Sequence, residues 1–245
     1  MSAANPAIPD KTVGDACLAA YQRLQDEIIR FQASELYILR IENAALQDKA
    51  SLKDARDDLM KWLTPDYDSP QRYFREKAFN FLVASFELFL RDVLAIIIMV
   101  NPKKVGQCQF ALSEILDSLG IDELVRRSIE DILNKMMYKK PLEYLRDVAD
   151  LLSIDATPLK AHWPSFVEAK ARRDLGVHNG WRCNSIYIRK LAEVGIVSAF
   201  EEGDSVSPSY EYGRGIMDSL RELGSQLMDG VIKKKHPASL NKSHK

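Results

Sequence analysis

"NFLVASFELFLRDVLAIII", residues 80–98, is the stretch on which the fold turns. It lies inside residues 70–100, which read as the most apolar helix of the chain. Phe74, Phe81, Phe86, Phe89, Leu90, Val93 and Ile97 are among its large residues. Apolar residues go nearly all the way round the helical wheel, a pattern that predicts a central, buried helix. Its most apolar part, "VLAIIIMV" at 93–100, is too short to span a bilayer and follows Arg91 and Asp92. A soluble helical protein is therefore the expectation.

Working outward, the flanking segments are also helical. From Val13 to Gln47 the only Pro or Gly is Gly14, and Tyr21, Leu24, Ile28 and Phe31 recur at steps of three and four. Residues 51–63 read as a shorter helix, and "TPDYDSP" (64–70) then punctuates the chain. Past "NPKKVGQ" (101–107), Asp122 is placed to N-cap a helix whose Val125, Ile129, Ile132 and Met136 share a face. Pro141 opens a helix to about Ser153. Pro164 suits the first turn of the next, which runs to His178 or Asn179. A short helix over 184–193, a polar loop over 201–210 and a last helix over 211–231 complete the chain. Residues 195–200 are the one segment that invites extended pairing. No repeats occur. The expected fold is an all-α bundle of six or more helices. The expected organisation is a disordered N-terminus (1–12), an N-terminal helical extension (13–65), a main helical domain (66–232) and a basic disordered tail (233–245).

The bulk composition is that of a globular protein, with 46% hydrophobic and 28% charged residues among 245. The net charge of −1 names no partner, but its distribution is uneven. Between Lys160 and Lys190 seven Lys or Arg face only Glu168 and Asp174, so seven minus two leaves +5. Five further lysines follow Gly230 with no acid among them. A basic excess of this kind suits an anionic ligand; it is equally the composition of a solvated helix face. Cys17, Cys108 and Cys183 have neither zinc nor redox spacing, which predicts a reducing compartment without disulfides. "MSAANPAIPD" has no apolar core and does not read as a signal peptide, so a cytoplasmic location is expected. No P-loop, dinucleotide fingerprint, HExxH or GxSxG occurs.

The chemistry concentrates in "ARRDLGVHNG", residues 171–180. On the helix before Gly180, Val167, Ala171 and Leu175 form one stripe, and His178 falls within about 20° of it. Asp174, four residues earlier, is spaced to accept a bond from the His178 ring. Arg173 points about 140° away from His178. Joint action on one substrate atom then needs either a distorted helix near Gly176 or a second copy of the chain. The same letters also describe an ordinary helix end, with His178 meeting the negative end of the dipole and Asn179 or Gly180 in a left-handed cap.

An arginine, a polar residue, a short stretch and then His-Asn at a helix end resembles the R-x4–6-H motif of HEPN-domain proteins. Arg173 matches the motif arginine, Asp174 the polar residue and His178 the motif histidine. Residues 80–98 are similar to that family's long central helix, and residues 121–154 to the helices before its motif helix. The resemblance covers roughly residues 70–195. It implies a HEPN-like helical bundle with an added long N-terminal helix. It also implies a homodimeric, metal-independent endoribonuclease, in which the RNA 2′-hydroxyl attacks its own phosphate and leaves a 2′,3′-cyclic phosphate. In that reading Arg173 and His178 are catalytic, and Asp174 and Asn179 support them. Lys170, Arg172 and Arg182 hold the RNA backbone, and Trp181 or Tyr187 stacks a base. No cofactor or metal is called for. The setting would be toxin, stress or phage-defence biology, with an antitoxin or activator protein as partner and no membrane. Some family members carry a tyrosine two residues after the histidine, the target of a partner nucleotidyltransferase; Gly180 stands there instead. Three rival readings are a non-catalytic scaffold or interaction module, a nucleotide-binding regulator, and a cysteine hydrolase built on Cys183 and His178. No orienting pattern around Cys183 supports the last.

Overall fold

Proline and glycine punctuation divides the chain into helices. The computed structural model describes residues 10–47, 50–63, 67–105, 115, 118 and 120–235. Eight α-helices lie among these: α1 (Asp10–Leu46), α2 (Ala50–Leu63), α3 (Pro70–Val100), α4 (Ile121–Met137), α5 (Pro141–Leu152), α6 (Trp163–His178), α7 (Ser185–Ala192) and α8 (Tyr210–Lys235). Short 3-10 turns cover Pro102–Val105 and Pro158–Ala161. Among the described residues there is no strand, and the protein is all-α. Proline is the first residue of α3 and α5 and the second of α6, where its missing N–H interrupts no helical bond.

Several expectations are corrected. α1 begins at Asp10 and α8 ends at Lys235, so residues 10–12 and 233–235 are helical; residues 1–9 and 236–245 lie outside the described residues. Asp122 is not the N-cap of α4. Gly120 holds that place with φ +142°, and Asp122 sits in the first turn, where its charge faces the positive end of the dipole. α3 is not buried all round. Phe79, Leu82, Val83, Phe86, Leu90 and Val93 are buried, whereas Phe81, Leu88 and Met99 are more than half exposed. Apolar composition permits burial on every face, but only packed neighbours supply it. Residues 195–200 form no strand: Gly195 turns the chain at φ +78° and Val197 is fully exposed.

The chain forms two compact units, each made from separated segments. Among the described residues, one comprises those within 10–23, 87–163 and 223–235; the other comprises those within 24–86 and 164–222. Residues 13–65 are thus shared between the units rather than forming one of their own. In the first unit Trp163 is fully buried, donates its indole N–H to the Pro141 carbonyl at 3.0 Å and meets Tyr144 edge-on at 5.4 Å. Gly230 lets α8 approach Ile154 closely; a Cβ there would lie 2.8 Å from Ile154 Cγ2.

The second unit holds α6 and is distinguished by buried charge. Glu35, Glu76 and Glu168 are all buried, and each has an arginine. Glu35 receives Arg75 at 3.5 Å. Glu76 receives Arg72 Nε at 3.0 Å and the Ser207 hydroxyl at 2.7 Å. Glu168 is the most connected. Its Oε1 accepts from Arg172 Nε at 2.7 Å and from the Tyr187 hydroxyl at 2.6 Å, and its Oε2 accepts from Tyr212. Arg172 also donates to the Tyr187 oxygen at 3.3 Å and lies 3.7 Å above the Tyr212 ring centroid, with the Phe200 ring 5.2 Å away. One turn of α6 thereby gathers α7, α8 and the loop between them.

A buried carboxylate is stable only while its partners remain, so removing one half of the pair costs more than removing both. Glu168→Gln should destabilise the protein by about 3–5 kcal/mol, because it strands the buried Arg172 charge. The double change Glu168→Leu with Arg172→Met should cost much less, and urea titration of the two variants checks this order. Burial first, and then the Glu168 charge, push the Tyr187 and Tyr212 phenols above the usual tyrosine range, with Arg172 opposing. A phenol raised on folding contributes stability that is full below its unfolded pKa of about 10 and is lost as pH climbs through the folded value. Denaturation midpoints should therefore fall steeply above about pH 10. Tyr187→Phe should flatten that slope while lowering stability at pH 7.

Candidate functional site

The end of α6 is built by a short exchange of backbone bonds. α6 is helical through His178, and Asn179 N–H bonds to the Leu175 carbonyl at 2.8 Å. Gly180 (φ +55°) and Trp181 (φ +61°) then both take the left-handed region, and Trp181 N–H returns to the same Leu175 carbonyl at 3.1 Å. This bond reaches six residues back, one more than the six-to-one bond of a glycine-terminated helix, because two successive left-handed residues lengthen the turn. A left-handed tryptophan costs about 1–2 kcal/mol. Burial of its indole, at roughly 25 cal/mol per Å2 over an aromatic side chain of some 150–250 Å2, outweighs that. The indole sits directly on Gly176 and 6.1 Å from the Phe79 ring centroid.

Beyond the turn the chain is held by a narrow antiparallel contact. Arg182 and Ser205 form an isolated bridge. Cys183 N–H donates to Asp204 at 2.9 Å, Gly203 N–H to Cys183 at 2.9 Å, and Val206 N–H to Trp181 at 2.8 Å. The extended pairing anticipated at 195–200 is thus found at 181–183 and 203–206 instead. Asn184 then caps α7 by accepting from Tyr187 N–H at 2.9 Å. Ala171, Leu175, Cys183, Tyr187, Leu191 and Val206 form one buried cluster beneath this frame.

Onto this frame the structure places the motif residues as follows. His178 is exposed and makes no hydrogen bond or ion pair among the described residues. Asp174, expected to orient it, faces elsewhere: it pairs with Lys190 of α7 at 3.4 Å and with Arg173 Nε at 3.5 Å. Arg173 is half-buried. Because α6 stays helical to its end, the angle of about 140° between Arg173 and His178 stands, and Gly176 does not distort it. Asn179 donates from Nδ2 to the Arg182 carbonyl at 2.7 Å, so it stitches the turn rather than supporting the histidine. Lys170 is half-buried on α6, and Arg182 is exposed with one bond from Nη1 to the Gly203 carbonyl at 3.2 Å.

Two assignments are corrected, and the cysteine-hydrolase rival finds no support. Arg172 is not available to a phosphate, because its guanidinium is buried against Glu168, Tyr187 and Tyr212. Tyr187 and Trp181 are also buried and have no face free to stack a base. Cys183 is buried, and burial, together with Asp204 and Glu202, pushes its thiol pKa up, the opposite of a nucleophilic cysteine. Lys190 is the residue that sequence reasoning passed over individually. It counted only as one charge in the basic run, whereas contact with Asp174 brings it beside Arg173. Among the described residues no group of three or more His, Cys, Asp or Glu is spaced to hold a metal, and no helix is long and apolar enough to cross a membrane.

No protein-family model, curated protein or solved structure matches the chain.

Gly176 is the position where the frame is least tolerant. A Cβ there would lie 2.4–2.6 Å from three atoms of the Trp181 ring, and that ring is buried. Alanine gains up to about 1 kcal/mol of helix propensity. Forcing a packed ring aside costs roughly 1–3 kcal/mol, and the turn must shift with it. Gly176→Ala should therefore lower the melting temperature, and its indole fluorescence should report the displaced Trp181.

Proposed function

We propose that the chain is a metal-independent endoribonuclease whose reacting groups are His178 and Arg173. The observation that carries this reading is the uncommitted His178 at the exposed end of α6, one helical turn from the cationic group of Arg173, Asp174 and Lys190. Histidine is the side chain suited to general acid–base work, and an arginine fork binds a phosphodiester and stabilises charge on it. In the reaction His178 takes the proton of the RNA 2′-hydroxyl. The 2′-oxygen forms a bond to phosphorus, the bond from phosphorus to the 5′-oxygen breaks, and that oxygen takes a proton from water as it leaves, while His178 gives its proton back to solvent. The products are a 2′,3′-cyclic phosphate and a 5′-hydroxyl. No protein nucleophile takes part, which fits a Cys183 that is buried with its thiol pKa pushed up.

The angle of about 140° between the two side chains supports a homodimeric site, in which Arg173 of one copy faces His178 of the other. Lys190 joins Lys170 and Arg182 as the groups that hold the RNA backbone. The reading extends to a cytoplasmic protein of toxin, stress or phage-defence biology, restrained by an antitoxin or released by an activator. The second reading is a non-catalytic HEPN-like scaffold or RNA- or nucleotide-binding module. The inward turn of Arg172, Tyr187 and Trp181 favours it, because the cationic surface is smaller than the count of charges suggests.

Purified protein incubated with cellular RNA in EDTA should yield fragments with 2′,3′-cyclic ends. His178→Ala and Arg173→Ala should each reduce cleavage by at least about 100-fold, the scale of a lost acid–base or charge-stabilising group. Undiminished cleavage by both variants would remove these residues from the site. Binding of RNA without cleavage would favour the second reading.

A further inference from the structure

α1, α2 and α3 enclose a groove of about 510 Å3, lined entirely by residues between Ser34 and Ala78. It lies apart from α6 in sequence and owes nothing to the nuclease reading. Ile41 of α1, Leu52 and Leu59 of α2 and Phe74 of α3 make its walls, and the small Ala45, Ala55 and Ala78 side chains leave the space open. Tyr37 and Phe74 are exposed at 65% and 40%, so apolar surface faces the opening. A space of this size and lining is unsuited to ordered water, which needs several polar partners, and falls within the range of small-molecule sites.

Four polar side chains interrupt the apolar lining, and their pairing sets the charge of the site. Glu42 accepts from Arg56 Nε at 2.9 Å, so that carboxylate and guanidinium offset each other. Ser34 is neutral. Lys77 is exposed, lies 5.3 Å from the Tyr73 ring centroid and makes no ion pair among the described residues. Arg56 is further taken up by Asp57 at 3.6 Å, so among the described lining residues Lys77 is the cation outside an ion pair.

From this we infer that the groove binds a small anionic amphiphile, an alkyl carboxylate whose chain lies against Ile41, Leu52, Leu59 and Phe74 and whose head group meets Lys77. Apolar burial supplies the affinity and the lysine the polarity of binding. Each added methylene should tighten binding roughly fourfold, the equivalent of ~0.8 kcal/mol. An exposed ion pair should add only a further two- to fivefold.

The test is calorimetric titration of the full-length protein with octanoate, decanoate and dodecanoate below their micelle concentrations, with decanol and decylamine beside them. Saturable one-to-one binding that strengthens with chain length, with decanoate ahead of decanol and decylamine, is the expected result. Lys77→Gln should remove the advantage of decanoate over decanol and leave decanol binding unchanged. Ala55→Trp, at an exposed position on α2, should fill the groove and abolish both, with unchanged helical circular dichroism. No saturable binding by folded wild-type protein would overturn the inference. So would equal binding by the Ala55→Trp variant, a preference for decylamine, or concentration-dependent self-association that blocks decanoate, which would make a second copy the occupant.

Discussion

The Glu168 carboxylate is the constraint on which the rest of the site depends. It is buried on α6, and it accepts from Arg172 of its own helix, Tyr187 of α7 and Tyr212 of α8. A charge placed there without partners would be strongly unfavourable, so the helices that carry the partners must come together or the network does not form. Arg172 adds a second requirement, because its guanidinium stacks on Tyr212 and needs that ring in place. The network therefore specifies one arrangement of α6, α7 and α8. The exposed end of α6, with His178, Asp174 and Arg173, inherits its position from that arrangement.

The same physics separates the residues that hold the frame from those left to act. Within "ARRDLGVHNG" neighbouring letters have opposite duties. Arg172 is spent inside, Asn179 and Gly180 close the helix, and Gly176 makes room for Trp181. His178 is left exposed, while Arg173 and Asp174 are half-buried and paired with each other. The buried acids repeat the device elsewhere in the same unit: Glu35 of α1 pairs with Arg75 of α3, and Glu76, paired with Arg72 of its own helix, accepts the Ser207 hydroxyl of a loop. The α1–α3 groove shows the complementary case. Alanines at facing positions leave apolar space unfilled, and one lysine beside it makes no ion pair.

Most of the helices were legible in the sequence because local rules govern them. Proline at the first turn, left-handed glycine at the end and apolar steps of three and four each act within a few residues. The stripe of Leu24, Ile28 and Phe31 on α1 is buried as its spacing suggests. α3 runs over the residues expected, Pro70–Val100. The N-cap of α4 failed for a local reason, since Gly120 can adopt the extended, positive-φ geometry that the chain needs there and Asp122 then falls two residues inward, within the first turn. The exposure of Phe81 and Leu88 was not legible, because the covering of a helix face depends on partners distant in sequence.

By itself, the sequence determined where most of the helices lie, the basic character of residues 160–190, and the capped end of α6 at Asn179–Gly180, because backbone sterics and hydrogen-bond geometry act over one turn. Only the tertiary structure decided which of those charges face water. Arg172 and Arg173 are adjacent in the chain and indistinguishable by composition, yet about 100° of helical rotation sends one into the Glu168 network and leaves the other beside Asp174. Tyr187 and Trp181 read equally well as platforms for a base, and became interior because Glu168 and Gly176 offered them closer partners. The choice between the two outcomes is a difference in burial energy summed over three helices, and no window of sequence contains it.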